Sequence, residues 1–162
     1  MKNTDCLFVD LGINFLGSLK GLHYGGYVPY GLLCVASHVE KAGYSVRALM
    51  MDGSIAEGFN ESTEKLDQLT REVLKEEIQT YNPSVFALGM PYTFQYNYML
   101  RVFKMVKEIN PNMLTVIGGA HTSVLDKKCF EDSEHIDIVV RGEGEETMLE
   151  LLGTHLRKKS LE

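Results

Sequence analysis

A chain of 162 residues that is 44% hydrophobic and 23% charged has the composition of one globular domain, and it can bury a core without disulfides or metal. Its net charge of −6 disfavours a nucleic-acid surface, and no apolar run approaches the roughly 20 residues that span a bilayer. Three scattered cysteines and the absence of a signal-peptide pattern predict a cytoplasmic protein without a disulfide framework or a zinc site.

Short apolar runs alternate with helical segments along the whole chain. Strands are predicted at residues 6–11, 44–50, 84–90, 114–117 and 136–140. Helices are predicted from Pro29 to Lys41, from Thr63 to Tyr81, around residues 99–106, from Ser123 to Phe130 and from Glu145 onward. In the second helix, the apolar spacing predicts that Leu66, Leu69 and Val73 point inward.

This alternation predicts an α/β fold, a doubly wound (Rossmann- or flavodoxin-like) parallel sheet of five strands with helices on both faces. Right-handed crossovers and the chain length favour the strand order 2-1-3-4-5. A ligand is then expected at the carboxyl edge, over the loops after strands one, three and four. The glycine-rich segment 12–28, residues 91–93 and Gly118-Gly119 all fall there.

Glycine pairs follow the last two predicted strands. The stretch Thr115 to Ser123 runs from a strand through Gly118-Gly119 into a helix start, and residues 136–147 repeat the pattern with Gly142 and Gly144. Because glycine has no Cβ, a bulky ligand can approach the backbone at such positions. The simpler alternative is that both are tight strand-to-helix turns.

Several familiar ligand sites do not fit this edge. A phosphorelay receiver needs acids after strand three and a lysine after strand five, where Met90 and Arg141 stand. The run from Gly142 to Thr147 resembles a dinucleotide loop, but it lacks the third glycine, follows the wrong strand and carries three glutamates that would repel phosphate. The segment after strand one lacks the Ser/Thr-rich character of a flavodoxin phosphate loop. No hydrolase elbow or His-Glu-x-x-His pair is present.

Four stretches in order carry a family resemblance. They are residues 27–32 leading to 41–46, residues 116–122 (Val-Ile-Gly-Gly-Ala-His-Thr), residues 136–145 (Ile-Asp-Ile-Val-Val-Arg-Gly-Glu-Gly-Glu), and residues 146–148 with Leu151-Leu152. Together they make the sequence resemble the cobalamin-binding domain that precedes the catalytic domain in B12-dependent radical SAM enzymes.

The resemblance implies a corrin on the carboxyl edge, with its nucleotide tail entering the sheet beside Gly118-Gly119. Glycine would be needed there because a side chain would fill the channel for the tail. The candidate cofactor-binding residues are Gly12, Tyr30, Gly31, Met90, Pro91, Tyr92, Thr93, Gly118, Gly119, Ala120, His121, Thr122, Arg141, Gly142, Glu143 and Gly144. No catalytic residue and no metal-ligating residue is assigned.

Two departures from the methylcobalamin-binding pattern concern the cobalt. That pattern has Asp-x-His-x-x-Gly after strand one, whereas here His23 has the His-x-x-Gly spacing but Gly21 replaces the aspartate that would orient the imidazole. Gly89-Met90-Pro91 replaces the Ser-x-Leu expected after strand three. Both departures resemble the radical SAM branch, so we expect no protein ligand on cobalt.

Some candidate residues have two interpretations. His121 either caps a helix or contacts the cofactor, and Glu143 either binds corrin amides or complements a helix dipole. Tyr92 is the aromatic residue expected to face the ligand, and Met90 with Pro91 either forms an apolar wall or ends the strand. Asp10 is expected to orient loop backbone.

The whole chain, 1–162, is therefore predicted to be one cobalamin-binding domain. Its final Leu-Glu resembles a cloning scar, which predicts an N-terminal fragment of a longer, methyltransferase-like radical SAM enzyme. S-adenosylmethionine and a [4Fe-4S] cluster are expected only in the downstream domain, on a Cys-x-x-x-Cys-x-x-Cys motif that this sequence lacks. The alternatives are a stand-alone cobalamin carrier or sensor and a domain that has lost its ligand.

Overall fold

The computed structural model describes residues 3–12, 28–51, 55, 62–90 and 92–159. The strands are β1 (Cys6–Asp10), β2 (Val46–Met50), β3 (Val85–Gly89), β4 (Leu114–Gly118) and β5 (Ile138–Val140). The helices are α1 (Tyr30–Lys41), α2 (Thr63–Tyr81), α3 (Tyr96–Ile109), α4 (Ala120–Val124), α5 (Asp126–Asp132) and α6 (Glu145–Lys159), with a short 3-10 turn at Thr93–Gln95 before α3.

All four strand pairings are parallel, and the strand order is β2-β1-β3-β4-β5. The predicted doubly wound sheet is therefore confirmed. Its register sets residues of different strands side by side. Phe8, Ala87 and Val116 form one row across β1, β3 and β4, and Asp10, Gly89 and Gly118 form the row nearest the carboxyl edge.

Alternation along the strands divides the core between the two faces of the sheet. On one face, Phe8, Val116 and their equivalents pack against residues of α1 and α6. On the other face, Val9, Phe86 and Ile117 pack against residues of α2, α3 and α5. A strand that is buried on both faces has a continuous run of apolar residues. Such runs made these strands predictable from the sequence.

In α2, Leu66 is buried and Leu69 and Val73 pack half-buried against the same core, so their predicted inward positions are confirmed; Thr70, Leu74 and Ile78 are buried as well. Two local predictions differ from the structure. α1 begins at Tyr30, with Pro29 as the residue before its first turn. The single helix predicted from Ser123 to Phe130 is wrong, because α4 already begins at Ala120 and α5 is a separate helix.

Among the described residues, no helix combines the length and the apolar character that crossing a membrane requires.

Candidate functional site

A cavity of about 250 Å³ lies at the carboxyl edge of the sheet, between one face of the sheet and the helices α1 and α6. It is beside the point between β1 and β3 where the strand order reverses, as the topology predicts. Its lining residues are Phe8, Asp10, Pro29, Gly31, Leu32, Val35, Ala87, Leu88, Gly89, Met90, Val116, Gly118, Gly119, Ala120, Val140, Gly142, Glu143, Gly144, Glu145 and Met148.

Small residues on two packed elements create this cavity. Ala87, Gly89 and Gly118 lie on the sheet face beneath α1 and leave little side-chain volume there. Gly31 lines the cavity from the first turn of α1, and a Cβ built on it has no atom within 4 Å. Side chains are therefore missing from both walls, although at Gly89 the side chain of Leu32 occupies the place that a Cβ would take.

The backbone conformation at position 119 requires a glycine. Its φ of 118° lies where side chains are rarely tolerated, and a Cβ on it would approach the carbonyl oxygen of Met90 to 2.6 Å. Gly118 is less restricted, since its Cβ would meet Val140 at an ordinary 3.6 Å. A side chain at Gly119 would therefore meet the backbone of a neighbouring loop, and the expectation that it would also fill a ligand channel stays a prediction.

Asp10 orients the backbone of the loop after β1, as predicted. Its carboxylate is buried and accepts a hydrogen bond from the Gly12 N–H at 2.8 Å. Gln95, also buried, donates to the Gly12 carbonyl from the 3-10 turn after β3. The chain leaving β1 is thus attached to the neighbouring loop.

Ser123 joins the loops after β4 and β5. Its hydroxyl donates to the Gly119 carbonyl at 2.9 Å and accepts from the Gly142 N–H at 3.0 Å. Arg141 reinforces the junction through an ion pair with Asp126 at 3.1 Å. The loops that carry Gly119 and Gly142, two residues lining the cavity, are therefore held at a fixed separation.

His121 lies in α4 and is buried, with its ring 5.3 Å from that of Tyr96. Its Nδ1 shares a hydrogen bond of 2.8 Å with the Thr93 hydroxyl. Its Nε2 has no hydrogen-bond partner among the described residues. Burial lowers the pKa of the imidazole from its ordinary value of 6.5, so His121 is neutral at pH 7. It fastens the loop after β3 to the helix after β4.

The sixteen predicted site residues divide into three groups. Eight line the cavity: Gly31, Met90, Gly118, Gly119, Ala120, Gly142, Glu143 and Gly144. Seven lie around the same edge without lining it: Gly12, Tyr30, Tyr92, Thr93, His121, Thr122 and Arg141. Pro91 lies outside the described residues, as does His23.

Within these groups, three aromatic and apolar candidates make the following contacts in the described part of the chain. Tyr92 stacks on Phe94 with ring centroids 5.4 Å apart, outside the cavity lining. The Tyr30 side chain is mostly exposed. Met90 is completely buried with the core cluster on the opposite face of the sheet, and its backbone borders Gly119. Its side chain is thus not a wall of the cavity.

Several lining residues were not selected from the sequence, although alternation along the strands provides a signal for them. Phe8, Ala87 and Val116 each stand two residues before the strand end and so point to the same face as Asp10, Gly89 and Gly118. Leu32 and Val35 follow Gly31 on one side of α1. The glycines at the strand ends were predicted from the sequence as site residues, but the apolar residues that precede them on the same face were not.

The charged residues that line the cavity are all acidic. Asp10, Glu143 and Glu145 contribute carboxylates, and the described lining contains no Lys or Arg. A phosphate inside the cavity would therefore be repelled, which agrees with the exclusion of a dinucleotide. Among the described residues, no group of three or more His, Cys, Asp or Glu is arranged to hold a metal ion.

The fold and this cavity define a doubly wound domain with a cavity at its topological switch point, which is where folds of this class bind their ligands. A family model described as the B12 binding domain matches residues 23–152. The chain therefore belongs to the B12-binding domain family, and the resemblance noted in the sequence is confirmed.

Three curated relatives are similar to parts of the chain. Cytidylyl-2-hydroxyethylphosphonate methyltransferase of Streptomyces wedmorensis is 30% identical over 128 residues, covering 75% of this chain and 23% of that protein. The cobalamin-dependent radical SAM methyltransferase TokK of Streptomyces tokunonensis is 39% identical over 74 residues, covering 46% and 11%. Anaerobic magnesium-protoporphyrin IX monomethyl ester cyclase of Rubrivivax gelatinosus is 31% identical over 86 residues, covering 53% and 15%. The chain spans less than a quarter of each relative.

The geometry fits one part of a cobalamin. A volume of about 250 Å³ suits a bicyclic aromatic base, whereas a corrin macrocycle is too large to be enclosed and would have to lie across the edge of the sheet. The glycine-lined opening permits close approach of a ligand to the backbone at Gly31 and Gly118.

Proposed function

We propose that the chain binds cobalamin at the carboxyl edge of the sheet, with the lower base in the cavity and the corrin across the loops that surround it. The main support is the cavity at the switch point, which is large enough for the base and is lined by several small residues. The chain that contains it belongs to the B12-binding domain family. The remaining predicted residues around the edge, among them Gly12, Tyr92 and Thr93, are then candidates for contact with the corrin.

The whole protein is proposed to be a B12-dependent radical SAM enzyme, most similar in kind to a methyltransferase. Support comes from relatives whose names include that activity and from the small share of their length that the chain covers. In this proposal the domain holds the cofactor, and catalysis requires a downstream domain with S-adenosylmethionine and an iron–sulfur cluster. Sequencing the natural gene downstream of the codons for this domain tests it: a Cys-x-x-x-Cys-x-x-Cys motif supports the enzyme, and a stop codon supports a stand-alone carrier or sensor.

Cobalamin binding is tested by retention. The protein is mixed with hydroxocobalamin, separated from excess ligand by gel filtration, and its visible spectrum is recorded. We expect about one corrin per protein in the wild type. Absence of corrin absorbance from the folded protein would contradict the proposal.

The location of the base is tested with Gly31→Leu. Open space surrounds Gly31, so the leucine would extend from the cavity wall without meeting backbone, and the helix gains up to ~1 kcal/mol because leucine is a better helix former than glycine. We expect the variant to fold and to bind at least ~100-fold more weakly, a steric effect worth about 2.7 kcal/mol. Ser37→Leu adds the same side chain at an exposed position of α1 and should bind like the wild type. Equal retention by both variants would place the base elsewhere.

A further inference from the structure

The deeper part of the cavity is apolar. Phe8, Ala87 and Val116 form the inner row of its floor, and Leu32 and Val35 lie on the α1 side. Each inner-row residue belongs to a strand that is paired on both sides, so its backbone N–H and C=O groups are used within the sheet. An aromatic ring placed on this row finds no free hydrogen-bonding group from the three residues of the inner row.

Polar groups are concentrated nearer the edge. Asp10 occupies the outer row together with Gly89 and Gly118, and Glu143 and Glu145 follow β5. These carboxylates suit hydroxyl or amide donors of a ligand at the opening. The cavity thus separates an apolar interior from an acceptor-rich opening.

Resting on the cobalamin binding proposed above, we infer that this domain selects cobamides by their lower base, accepting dimethylbenzimidazole and discriminating against a purine. Dimethylbenzimidazole presents two methyl groups and mostly carbon to the inner row. Adenine instead carries an exocyclic amine and additional ring nitrogens, which lose water on entering and gain no partner. A buried polar group without a partner weakens binding by about tenfold to a hundredfold.

The test measures affinity by visible-spectrum titration of the full chain with three ligands: hydroxocobalamin, the cobamide with adenine as its lower base, and base-free cobinamide. We expect hydroxocobalamin to bind about 10- to 100-fold more tightly than the adenine cobamide. Equal affinity for these two, or a preference for adenine, overturns the inference and leaves cobalamin binding intact. Failure of all three to bind overturns the proposed function. Cobinamide binding as tightly as hydroxocobalamin shows that the base stays outside the cavity and overturns the inference.

The residue-level test is Val116→Thr, which adds a hydroxyl of nearly equal size to the inner row. It should reduce the preference for dimethylbenzimidazole by about tenfold, because the hydroxyl is left unpartnered by that base and can pair with adenine. Val85→Thr makes the same change at a completely buried position on the same face that does not line the cavity, and it should leave the preference unchanged. If both substitutions changed the preference between the two cobamides equally, the assignment of the inner row as the surface that contacts the base would be contradicted. If Val116→Thr does not fold, the comparison of ligands on the wild type still decides.

Discussion

Two glycines at the edge of the sheet have opposite reasons for lacking a side chain. At Gly31 a Cβ has open space, and at Gly119 a Cβ collides with the Met90 backbone at a φ of 118°. The first position thus borders open space at the cavity, and the second determines how the loops after β3 and β4 fit together. The sequence alone does not distinguish these two reasons, because both positions are glycine.

This difference predicts unequal effects of alanine at the two positions. Gly119→Ala should lower the free energy of unfolding by at least about 2 kcal/mol, since the strained φ and the contact with Met90 both oppose it. Gly31→Ala should be neutral or stabilising by ~0.5–1 kcal/mol, because alanine favours the helix. Urea unfolding followed by circular dichroism measures both. Similar losses at the two positions would contradict the assigned contacts.

His121 should make stability depend on pH. Its pKa is lowered by burial in the folded chain, so below the ordinary value of 6.5 the unfolded chain binds a proton that the folded chain resists. The stabilising contribution is complete above 6.5 and is lost as the pH falls from there through the folded-state pKa.

The check is urea unfolding between pH 7.5 and about pH 5. The wild type should lose stability over this interval more steeply than His121→Asn, which has no imidazole to titrate and whose amide occupies the position of Nδ1 beside the Thr93 hydroxyl. Parallel curves for the two proteins would show that His121 is not the group responsible.

At the residue scale, the sequence predicted a cluster of positions at one edge of the sheet, whereas the contacts of each residue came from the structure. Gly118 and Gly142 line the cavity. His121 contacts Thr93, and Tyr92 contacts Phe94. Position along a strand determines the edge, whereas the direction of a side chain depends on contacts between loops that no local pattern encodes.

Among the elements, β5 is held to β4 by the side chain of Asp137. The carboxylate accepts hydrogen bonds from the Thr115 N–H and hydroxyl, both at 2.8 Å, and from Lys107 at 2.6 Å. Burial favours the neutral acid, but these hydrogen bonds outweigh it and lower the pKa of Asp137 from its ordinary 3.8. The last strand is thereby fixed before its ladder begins at Ile138.

Asp137→Asn should therefore destabilise the domain by about 1–2 kcal/mol at pH 7, because a neutral amide is a weaker acceptor for Lys107 and Thr115. The contribution of a carboxylate with a lowered pKa is present above 3.8 and is lost as the pH falls through the folded value. The difference between the two proteins, measured by urea unfolding, should thus shrink towards pH 3. A difference that is constant with pH would assign the effect to packing.

Helix boundaries were predictable where capping residues mark them. α2 spans Thr63–Tyr81 as predicted, because the Ser62 hydroxyl accepts from the Lys65 N–H and Asn82 ends the helix in a left-handed conformation. α4 has no such signal, since its N-cap is Gly119 and no side chain caps it.

The inward position of Thr70 on α2 was not predicted, because a polar residue interrupts the apolar stripe of the helix. Its hydroxyl is in fact paired with the Leu66 carbonyl and the Tyr98 hydroxyl.

On the scale of the whole molecule, alternation of strands and helices was enough to predict the sheet order and hence the edge for a ligand. The cavity itself was not predictable in the same way. It depends on α1 and α6 packing over a sheet face whose outer row contains two glycines beside Asp10, so that small residues distant in sequence coincide in space. Gly31 and Gly118 are 87 positions apart in the chain and line the same volume.

Because a ligand that binds only the folded chain shifts the folding equilibrium, cobalamin should stabilise the entire domain. At a free ligand concentration 100-fold above Kd the gain is about 2.7 kcal/mol, which for a domain of this size raises Tm by ~5–10 °C. The rise should continue with the logarithm of hydroxocobalamin concentration, and Ser37→Leu should follow the same curve. Gly31→Leu should show no rise, since its side chain occupies the space for the base while the fold is intact. A rise of equal size in Gly31→Leu would mean that the stabilising contact lies outside the cavity.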